Sequence, residues 1–264
     1  MYPSLRGKRA LVLGGSRGIG RAIALRLAAE GAHVLVNYAR SLEAAEATAE
    51  QCRALGVESE AVRADIGDAS ALAGLFERVR QWGGLDVLVN NAARGLERPR
   101  PAIEQRPKHL RATMDVNLFG PWQASQAAVP LMTERGGGAI VNLLSPGAFH
   151  YMPRYSAVGV SKAALASLTL YLAVELAPRG IRVNAVSAGI VEESEGERSL
   201  GDQVAERVRP HVPAGRNVRP EDVAAAVAWV CSDEASMLVG QTVHLDGGFE
   251  AGAWNAVLDP PGGQ

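Results

Sequence analysis

The sequence predicts a single α/β domain built on a doubly wound parallel sheet with helices on both faces. Two observations predict it: short apolar runs alternate with amphipathic segments, and a glycine-rich turn follows the first apolar run. Alternating strands and helices require crossover connections, and these produce a parallel sheet. The predicted domain spans residues 1–250. Residues 251–264 are predicted to form a loose C-terminal tail, because its end, DPPGGQ, has no core-forming residues.

Seven apolar runs are short and rich in valine, isoleucine and leucine, as strands buried on both faces are. In chain order they read RALVLGG, HVLVNY, ESEAVRADI, LDVLVNNAA, GAIVNLLS, IRVNAVSAG and QTVHLDGG. Helices are predicted between these strands, over residues 18–30, 41–55, 68–82, 104–134, 155–177 and 219–232. The polar segment 190–213 follows the end of a strand, and we interpret it as a substrate lid.

The composition indicates a globular protein that buries a core and works in the cytoplasm. Hydrophobic residues make up 47% of the 264 residues and charged residues 21%, with a net charge of −1. This balance favours neither a nucleic-acid nor a membrane partner. We find no apolar stretch of the roughly 18 residues needed to span a bilayer. The two cysteines, Cys52 and Cys231, match no metal or disulfide spacing, so no metal site is predicted.

The turn after the first strand has the glycine pattern of a Rossmann-type dinucleotide site. Gly14, Gly18 and Gly20 form a G-x-x-x-G-x-G motif between a strand and a helix. Glycines allow the tight turn and let backbone N–H groups approach a pyrophosphate at the helix N-terminus. The cofactor contacts predicted in this loop are Gly14, Ser16, Arg17, Gly18, Ile19 and Gly20.

The end of the second strand favours NADPH over NADH. An acidic residue there would bind the ribose 2′-hydroxyl, but the sequence reads VNYARS, with Asn37 in place of a carboxylate. Arg40 and Arg17 can pair with a 2′-phosphate, and Ser41 can donate a hydrogen bond to it. Solvated arginines are common in exposed turns, so each residue alone is only weak support.

The stretch YSAVGVSK places Tyr155 and Lys162 seven residues apart, with Val158 at the closer position four residues before the lysine. On an ideal helix seven residues span about 10.5 Å and share a face. We expect Tyr155 to stand where the helix begins and to lean inward as the acid. A nearby ammonium and an oxidised nicotinamide would each lower the pKa of the tyrosine.

With GGSRGIG, VNNAA, MDVN, YSAVGVSK and LDGG in this order, the chain resembles the short-chain dehydrogenases/reductases over about residues 5–250. Within that superfamily it is most similar to the FabL-type, NADPH-dependent enoyl-acyl-carrier-protein reductases. The similarity rests on NYARS after the second strand, on NNAA, on the wide tyrosine–lysine spacing, and on VGVSKAAL followed by LTLYLAVEL.

The resemblance implies roles for residues at the matching positions. Asn117 resembles the helix residue that holds a proton-relay water near the lysine, although a buried asparagine bonded to backbone would look the same. Asp65 resembles the residue that meets the adenine amino group; its alternative role, capping the next helix, suits Asp68 better. Asn90 would support the backbone beside the cofactor. The remaining cofactor contacts are Ile66, Asn91, Ala92, Lys162, Gly189 and Val191.

Ser145 ends a predicted strand and has two possible alignments. It lies thirteen residues before Val158, as the catalytic serine of the superfamily does before its close-spaced tyrosine, and ten before Tyr155, where some enoyl reductases carry a second active-site residue. A serine at a strand end is also common without any role. The catalytic residues predicted by sequence and resemblance together are Tyr155, Lys162, Ser145 and Asn117.

The resemblance implies reduction of the C=C bond of an enoyl thioester, either small or carrier-bound, with Tyr155 donating to the enolate oxygen. The alternatives are a ketone or imine reductase of a specialised metabolite, as in polyketide tailoring, or a non-redox cyclase or binding protein that keeps the fold. The last is motivated by Leu13, where the family has threonine, and by Glu193, which would stand near the diphosphate and make the lid acidic. The family also implies a homotetramer assembled through helices 104–134 and 155–177.

Overall fold

The computed structural model describes residues 1–95, 100–192 and 200–252, with a seven-stranded parallel sheet at its centre. Each strand is four to eight residues long and lies within one of the seven predicted runs. The strands are β1 Arg9–Leu13, β2 His33–Tyr38, β3 Ser59–Arg63, β4 Val87–Asn90, β5 Gly138–Leu144, β6 Ile181–Ala188 and β7 Thr242–Leu245. The helices are α1 Gly18–Ala29, α2 Leu42–Ala54, α3 Ala69–Gln81, α4 Pro107–Met114, α5 Gly120–Glu134, α6 Ser156–Leu176, α7 Leu200–Val208 and α8 Pro220–Cys231.

The strand order is β3-β2-β1-β4-β5-β6-β7, so the winding direction reverses between β1 and β4. Ligands of such sheets bind at this reversal, beyond the carboxyl ends of the strands. The register pairs Leu13 of β1 with Asn90 of β4. The loops that follow β1 and β4 therefore leave the sheet side by side, which confirms the predicted Rossmann-type fold.

Each face of the sheet carries its own apolar core. On one face α1, α2 and α8 bury side chains such as Ile23, Leu27 and Val227. On the other face α3, α5 and α6 bury Leu75, Leu131 and many others. Since both faces are covered, the central strands are apolar throughout rather than alternating. Cys52 and Cys231 are buried free thiols in the first core, which agrees with a packing role.

The helix predicted over 104–134 is in fact three segments. Pro107 begins α4, a π-helical turn covers Asp115–Phe119, and α5 continues to Glu134. Isolated π-helical turns are often found at functional sites, and this one contains Asn117. Part of the predicted lid forms the helix α7. Residues 193–199, which include Glu193, lie outside the described residues. Most of the predicted tail, residues 253–264, also lies outside them.

The prediction that no stretch is long enough to cross a membrane is wrong for α6. Within Ser156–Arg179, an 18-residue window is apolar enough, by length and composition alone, to cross a membrane. Half of that window is buried inside the protein, where Leu165 packs in the second core. The helix is apolar because it packs against the sheet, as core helices often do.

Candidate active site

The glycine loop forms a cradle that fits a dinucleotide. Gly14 has φ +70°, and a Cβ atom there would lie 2.9 Å from Cα of Ala92. Gly18 has φ +52°, and a Cβ atom on Gly20 would lie 2.1 Å from the carbonyl oxygen of Gly14. These glycines therefore allow both the turn and its close approach to the loop after β4. The N-terminus of α1 opens directly beside them, where an anionic pyrophosphate is favoured.

Two side-chain amides hold this loop in place, that of the buried Asn37 and that of the partly buried Asn91. The Asn91 side chain donates to the carbonyl oxygens of Leu13 at 3.1 Å and Gly14 at 3.0 Å. From the other side, Oδ1 of Asn37 accepts from the backbone N–H of Gly14 at 3.2 Å. The Asn37 amide also donates to the backbone carbonyls of Val62 and Ala64. Asn37, predicted as a cofactor contact, thus uses its side chain to fix the loop against β2 and β3.

Sequence reasoning missed Thr48. Its hydroxyl shares one proton between the Ala44 carbonyl at 3.0 Å and the Ser16 carbonyl at 3.3 Å, so α2 contacts the glycine loop here. The role expected of Asn90 belongs to its neighbour Asn91, since successive strand residues point to opposite faces. Asn90 instead donates to Oδ1 of Asn142 at 2.7 Å, on β5. In the sequence, the only sign that one asparagine bonds β5 and the other the glycine loop is that Asn90 and Asn91 are adjacent.

The glycine loop and the turn after β2 each present one of the cationic groups predicted for a 2′-phosphate. Arg17 and Arg40 are exposed, and within the described part of the chain neither guanidinium has an ion-pair partner. By contrast, the nearby Arg53 pairs with Glu46 at 2.7 Å and with Glu50 at 2.6 Å. The backbone N–H of Gly15 donates to the Asn37 carbonyl at 2.9 Å, so the two turns are in contact.

Ser41 caps α2, with its hydroxyl oxygen accepting from the backbone N–H of Ala44 at 3.3 Å. This leaves its hydroxyl proton free to donate to an anion, as predicted. At the next strand end, Asp68 caps α3 through the backbone N–H groups of Ser70 and Ala71, as the sequence indicated. Asp65 is exposed and accepts from the N–H of Gly67.

Ile66 and Ile19 lie at this edge of the sheet as predicted. Ile66 is buried, and its carbonyl would lie 2.7 Å from a Cβ atom on Gly120, so it packs against the start of α5. Ile19 is partly buried against the first core at the start of α1. Both side chains therefore support the loops around the cradle.

The last two predicted cofactor contacts, Gly189 and Val191, follow β6. Gly189 donates to the carbonyl of Leu245 at 2.7 Å, and Val191 forms a parallel bridge with Val218. Asn217, which the sequence analysis missed, is buried and donates to the Ala205 carbonyl at 2.7 Å and to Oε1 of Glu192 at 3.2 Å. It connects α7, within the predicted lid, to the end of β6.

Tyr155 is the residue immediately before α6, as expected, and its hydroxyl lies at the end of β5. Its Oη donates to Oγ of Ser145 at 3.3 Å. Val158 is buried. The position four residues before Lys162 therefore holds an apolar side chain, and the contact with Ser145 comes from Tyr155, seven residues before the lysine.

The expected lowering of the Tyr155 pKa depends on a nearby ammonium and an oxidised nicotinamide, whereas the residues of the chain itself shift this pKa upward. Burial raises the pKa of Tyr155, and the hydrogen bond with Ser145 offsets only part of that increase. The Lys162 ammonium bonds the Leu143 carbonyl and is not among the groups that shift the pKa of Tyr155. Tyr155 is consequently a neutral phenol at neutral pH and retains the proton that an acid must donate.

Lys162 lies in the second turn of α6 and is 5% exposed. Its Nζ donates to the carbonyl oxygen of Leu143 at 2.5 Å. Burial lowers the pKa of Lys162 to about 8. A buried ammonium with two further N–H donors is suited to bind ribose hydroxyls when a nucleotide is present.

Asn117 is fully buried in the π-helical turn. Its Oδ1 accepts from the backbone N–H of Arg94 at 2.7 Å, while its Nδ2 donates to the Arg94 carbonyl at 3.2 Å and to Oγ of Ser161 at 3.0 Å. The amide is thus satisfied largely by backbone, the second of the two possibilities. It links the segment after β4 to the residue beside Lys162.

A pocket of about 570 Å³ lies against the exposed side of Tyr155. This volume is typical of sites for small molecules. Its walls combine residues 101–103 with the loop between Ser145 and α6. The lining residues are Pro101, Ala102, Ile103, Gly147, His150, Tyr151, Met152, Pro153, Arg154, Tyr155, Ser156, Gly159 and Val160.

Comparisons with known proteins agree with this geometry. A family model described as "Enoyl-(Acyl carrier protein) reductase" matches residues 14–250. The chain is 42% identical over 250 residues to the 3-oxoacyl-[acyl-carrier-protein] reductase FabG of Staphylococcus aureus, covering 92% of this chain and 98% of that protein. It is 36% identical over 252 residues to 3beta-hydroxysteroid dehydrogenase 1 of Eggerthella lenta, covering 94% and 96%.

Among solved structures, the gluconate 5-dehydrogenase of Burkholderia cenocepacia in complex with NADP and tartrate superposes with a TM-score of 0.85. It is 30% identical and covers 94% of this chain and 98% of that chain. The glycine cradle and the Tyr155–Lys162 pair lie within residues 14–250, which the family model matches. The chain therefore belongs to the short-chain dehydrogenase/reductase superfamily and is an NAD(P)-dependent oxidoreductase.

Proposed function

We propose that this chain is an NADPH-dependent reductase of the C=C bond of an α,β-unsaturated thioester, small or carried on an acyl carrier protein. The proposal rests on the position of the acid, Tyr155, relative to Lys162 and Ser145. Tyr155 stands seven residues before Lys162 and contacts Ser145, while the closer position holds the apolar Val158. The description of the matching family model supports the same reaction.

The position of Tyr155 suits the charge that develops in this reaction. Bound NADPH supplies the hydride that the Cβ atom of the substrate receives. Negative charge then develops on the thioester oxygen, two bonds further away than the oxygen of a ketone would be. Tyr155, a neutral phenol at neutral pH, donates its O–H to that oxygen and so stabilises the enolate. A solvent-derived proton at Cα completes the reduction.

Ser145 orients this acid, and Lys162 lies beside the same strand end. Ser145 accepts from the Tyr155 hydroxyl at 3.3 Å in the free chain and can donate to the same substrate oxygen when that contact opens. Lys162 is held by the Leu143 carbonyl, two residues before Ser145 along β5. Its remaining N–H groups would bind the ribose, and its charge would favour the anionic transition state.

The preference for NADPH rests on two guanidinium groups. Arg17 follows the first turn of the glycine loop and Arg40 follows β2, and neither is paired within the described residues. The chain places no carboxylate between Asn37 and Ser41. A 2′-phosphate would gain charge-assisted hydrogen bonds here without repulsion.

A second candidate is reduction of a ketone by the same residues. It is favoured by the 42% identity to a 3-oxoacyl-[acyl-carrier-protein] reductase. A tyrosine–serine pair in hydrogen-bond contact can polarise a carbonyl oxygen equally well. The two candidates differ in where the acid must stand relative to the carbon that receives hydride.

Substrate trials with paired thioesters test the proposal. NADPH oxidation is followed with crotonyl and acetoacetyl thioesters, using the wild type, Tyr155→Phe and the double variant Tyr155→Phe/Val158→Tyr. We expect turnover of the crotonyl thioester that Tyr155→Phe lowers at least about a hundredfold. Turnover of the acetoacetyl thioester alone would establish the second candidate. If relocating the tyrosine restores only ketone reduction, the position of the acid decides the reaction.

We also propose a homotetramer. Exposed apolar side chains lie at helical spacing along α6, with Leu170, Tyr171 and Val174 each more than half exposed. Phe119 and Trp122 extend this apolar surface near the start of α5. Soluble monomers rarely leave such patches uncovered. Light scattering at micromolar concentration tests the assembly, and a monomeric mass would refute it.

A further inference from the structure

The ring of Tyr155 lies in a slot shaped by two glycines. A Cβ atom added to Gly147 would lie 2.6 Å from Cδ1 and 2.7 Å from Cε1 of that ring. Carbon atoms in contact are normally about 3.5–4.0 Å apart. Gly147 belongs to the short 3₁₀ turn Pro146–Ala148, directly after Ser145. The segment that presents the serine therefore also forms one wall of the slot.

Gly159 forms the second wall, one helical turn beyond Tyr155. Its backbone N–H donates to the Tyr155 carbonyl at 2.8 Å. A Cβ atom on Gly159 would lie 2.7 Å from the carbonyl oxygen of Gly147 and 3.8 Å from Cδ1 of the ring. A side chain there would push the Gly147 turn away from α6 and disturb the tyrosine indirectly.

Neither Gly147 nor Gly159 has a backbone conformation that only glycine adopts easily. The residues with positive φ in the described chain do not include Gly147 or Gly159. An alanine at either position would therefore meet no backbone strain, and its effect would come only from the added methyl group. The slot is a packing requirement of the Tyr155 ring.

We propose that Gly147 and Gly159 are positioning residues for Tyr155 and that the wide tyrosine–lysine spacing depends on both. Because neither residue carries a side chain, a tyrosine just before α6 can lie along the first helical turn and bring its hydroxyl to Ser145. This inference rests on the proposed function, because it concerns the acid of that reaction. It adds two residues without titratable groups to those that determine where the acid stands.

The test is a double-mutant cycle on the crotonyl thioester assay. Gly147→Ala and Gly159→Ala are each made in the wild type and in Tyr155→Phe, and Gly74→Ala serves as the control. Gly74 lies on the exposed face of α3, with no heavy atom within 4 Å of an added Cβ. Affinity for NADPH and the melting temperature are measured for every variant.

We expect Gly147→Ala to lower kcat about tenfold to a hundredfold, because small displacements of a catalytic group have such effects. NADPH affinity should stay within about twofold, since the glycine cradle is separate. In Tyr155→Phe the same alanine meets the same ring edge but finds no hydroxyl to displace, so no further loss of the residual activity is expected. Gly74→Ala should match the wild type.

Two results would overturn the inference while leaving the proposed function intact. One is wild-type kcat in both alanine variants although Tyr155→Phe is inactive. The other is an equal loss in both backgrounds, which would mark a merely structural role. Wild-type activity of Tyr155→Phe would instead refute the proposed function itself. If Gly147→Ala does not fold, Gly159→Ala carries the same cycle.

Discussion

The hydroxyl of Tyr155, just before α6, donates to the hydroxyl of Ser145, just after β5, at 3.3 Å. Ten residues separate the two along the chain, and the intervening loop folds back so that both reach the carboxyl edge of the sheet. The contact lowers the pKa of Tyr155 against the larger effect of burial. It therefore links the placement of the acid to its proton affinity.

Replacement of Ser145 tests that link. In Ser145→Ala the phenol loses its acceptor, so its pKa should rise further and kcat should fall about fivefold to tenfold, the effect of one hydrogen bond. Ser145→Thr keeps a hydroxyl and should retain most of the activity. Steady-state kinetics and NADPH titration of both variants provide the measurement. Equal activity in the alanine and threonine variants would contradict this role.

Arg40→Ala should weaken NADPH binding about tenfold to a hundredfold and leave NADH binding unchanged, because only the 2′-phosphate loses a charged hydrogen bond. Arg17→Ala should behave in the same direction. Tryptophan quenching or calorimetry with both nucleotides measures the two affinities. Arg53→Ala is the control, since the Arg53 guanidinium is already engaged by Glu46 and Glu50. Equal loss for NADH and NADPH would refute recognition of the phosphate.

Burial of Lys162 should make stability depend on pH. Its pKa is lowered from 10.5 to about 8 by burial. Between these values the unfolded chain holds a proton that the folded chain has released, so stability should rise with pH over this window. Relative to Lys162→Met, the wild type should gain about 3 kcal/mol from pH 8 to 10.5. Below pH 8 the difference should be constant.

Thermal unfolding of both proteins without nucleotide, at steps from pH 7 to 10.5, measures this gain. The other titrating groups are shared by the two proteins and cancel in the difference. A stability difference that does not change across the window would show that the Lys162 ammonium keeps its ordinary pKa in the folded chain.

Asn91→Ala should destabilise the fold and weaken NADPH binding together. The substitution leaves the carbonyls of Leu13 and Gly14 without their donor, at a cost of about 1–3 kcal/mol. Asn184→Ala is the matched control, because its amide bonds backbone at Leu238 and Gln241, in the segment leading into β7. It should lower the melting temperature similarly and leave the affinity for NADPH unchanged. Unchanged affinity in Asn91→Ala would refute its support of the cradle.

Much of the fold could be predicted from the sequence, because it depends on local properties. The seven predicted runs, six to nine residues long, each contain one strand, and the side chains of Ser41 and Asp68 marked where α2 and α3 begin. Gly14 and Gly18 adopt positive φ, as the motif required. Backbone preference, burial pattern and capping act over a few residues, so they can be read without knowing the neighbours in space.

The tertiary structure alone decided how the polar side chains are used. Asn37 fixes the glycine loop, and Asn117 binds the backbone of Arg94, because their partners come from strands and loops distant in sequence. The rise in the Tyr155 pKa likewise follows from the residues packed around its ring, two of them the glycines at 147 and 159. Hydrogen-bond partners and desolvation are set by what surrounds a group in three dimensions, and spacing along the chain does not contain that information.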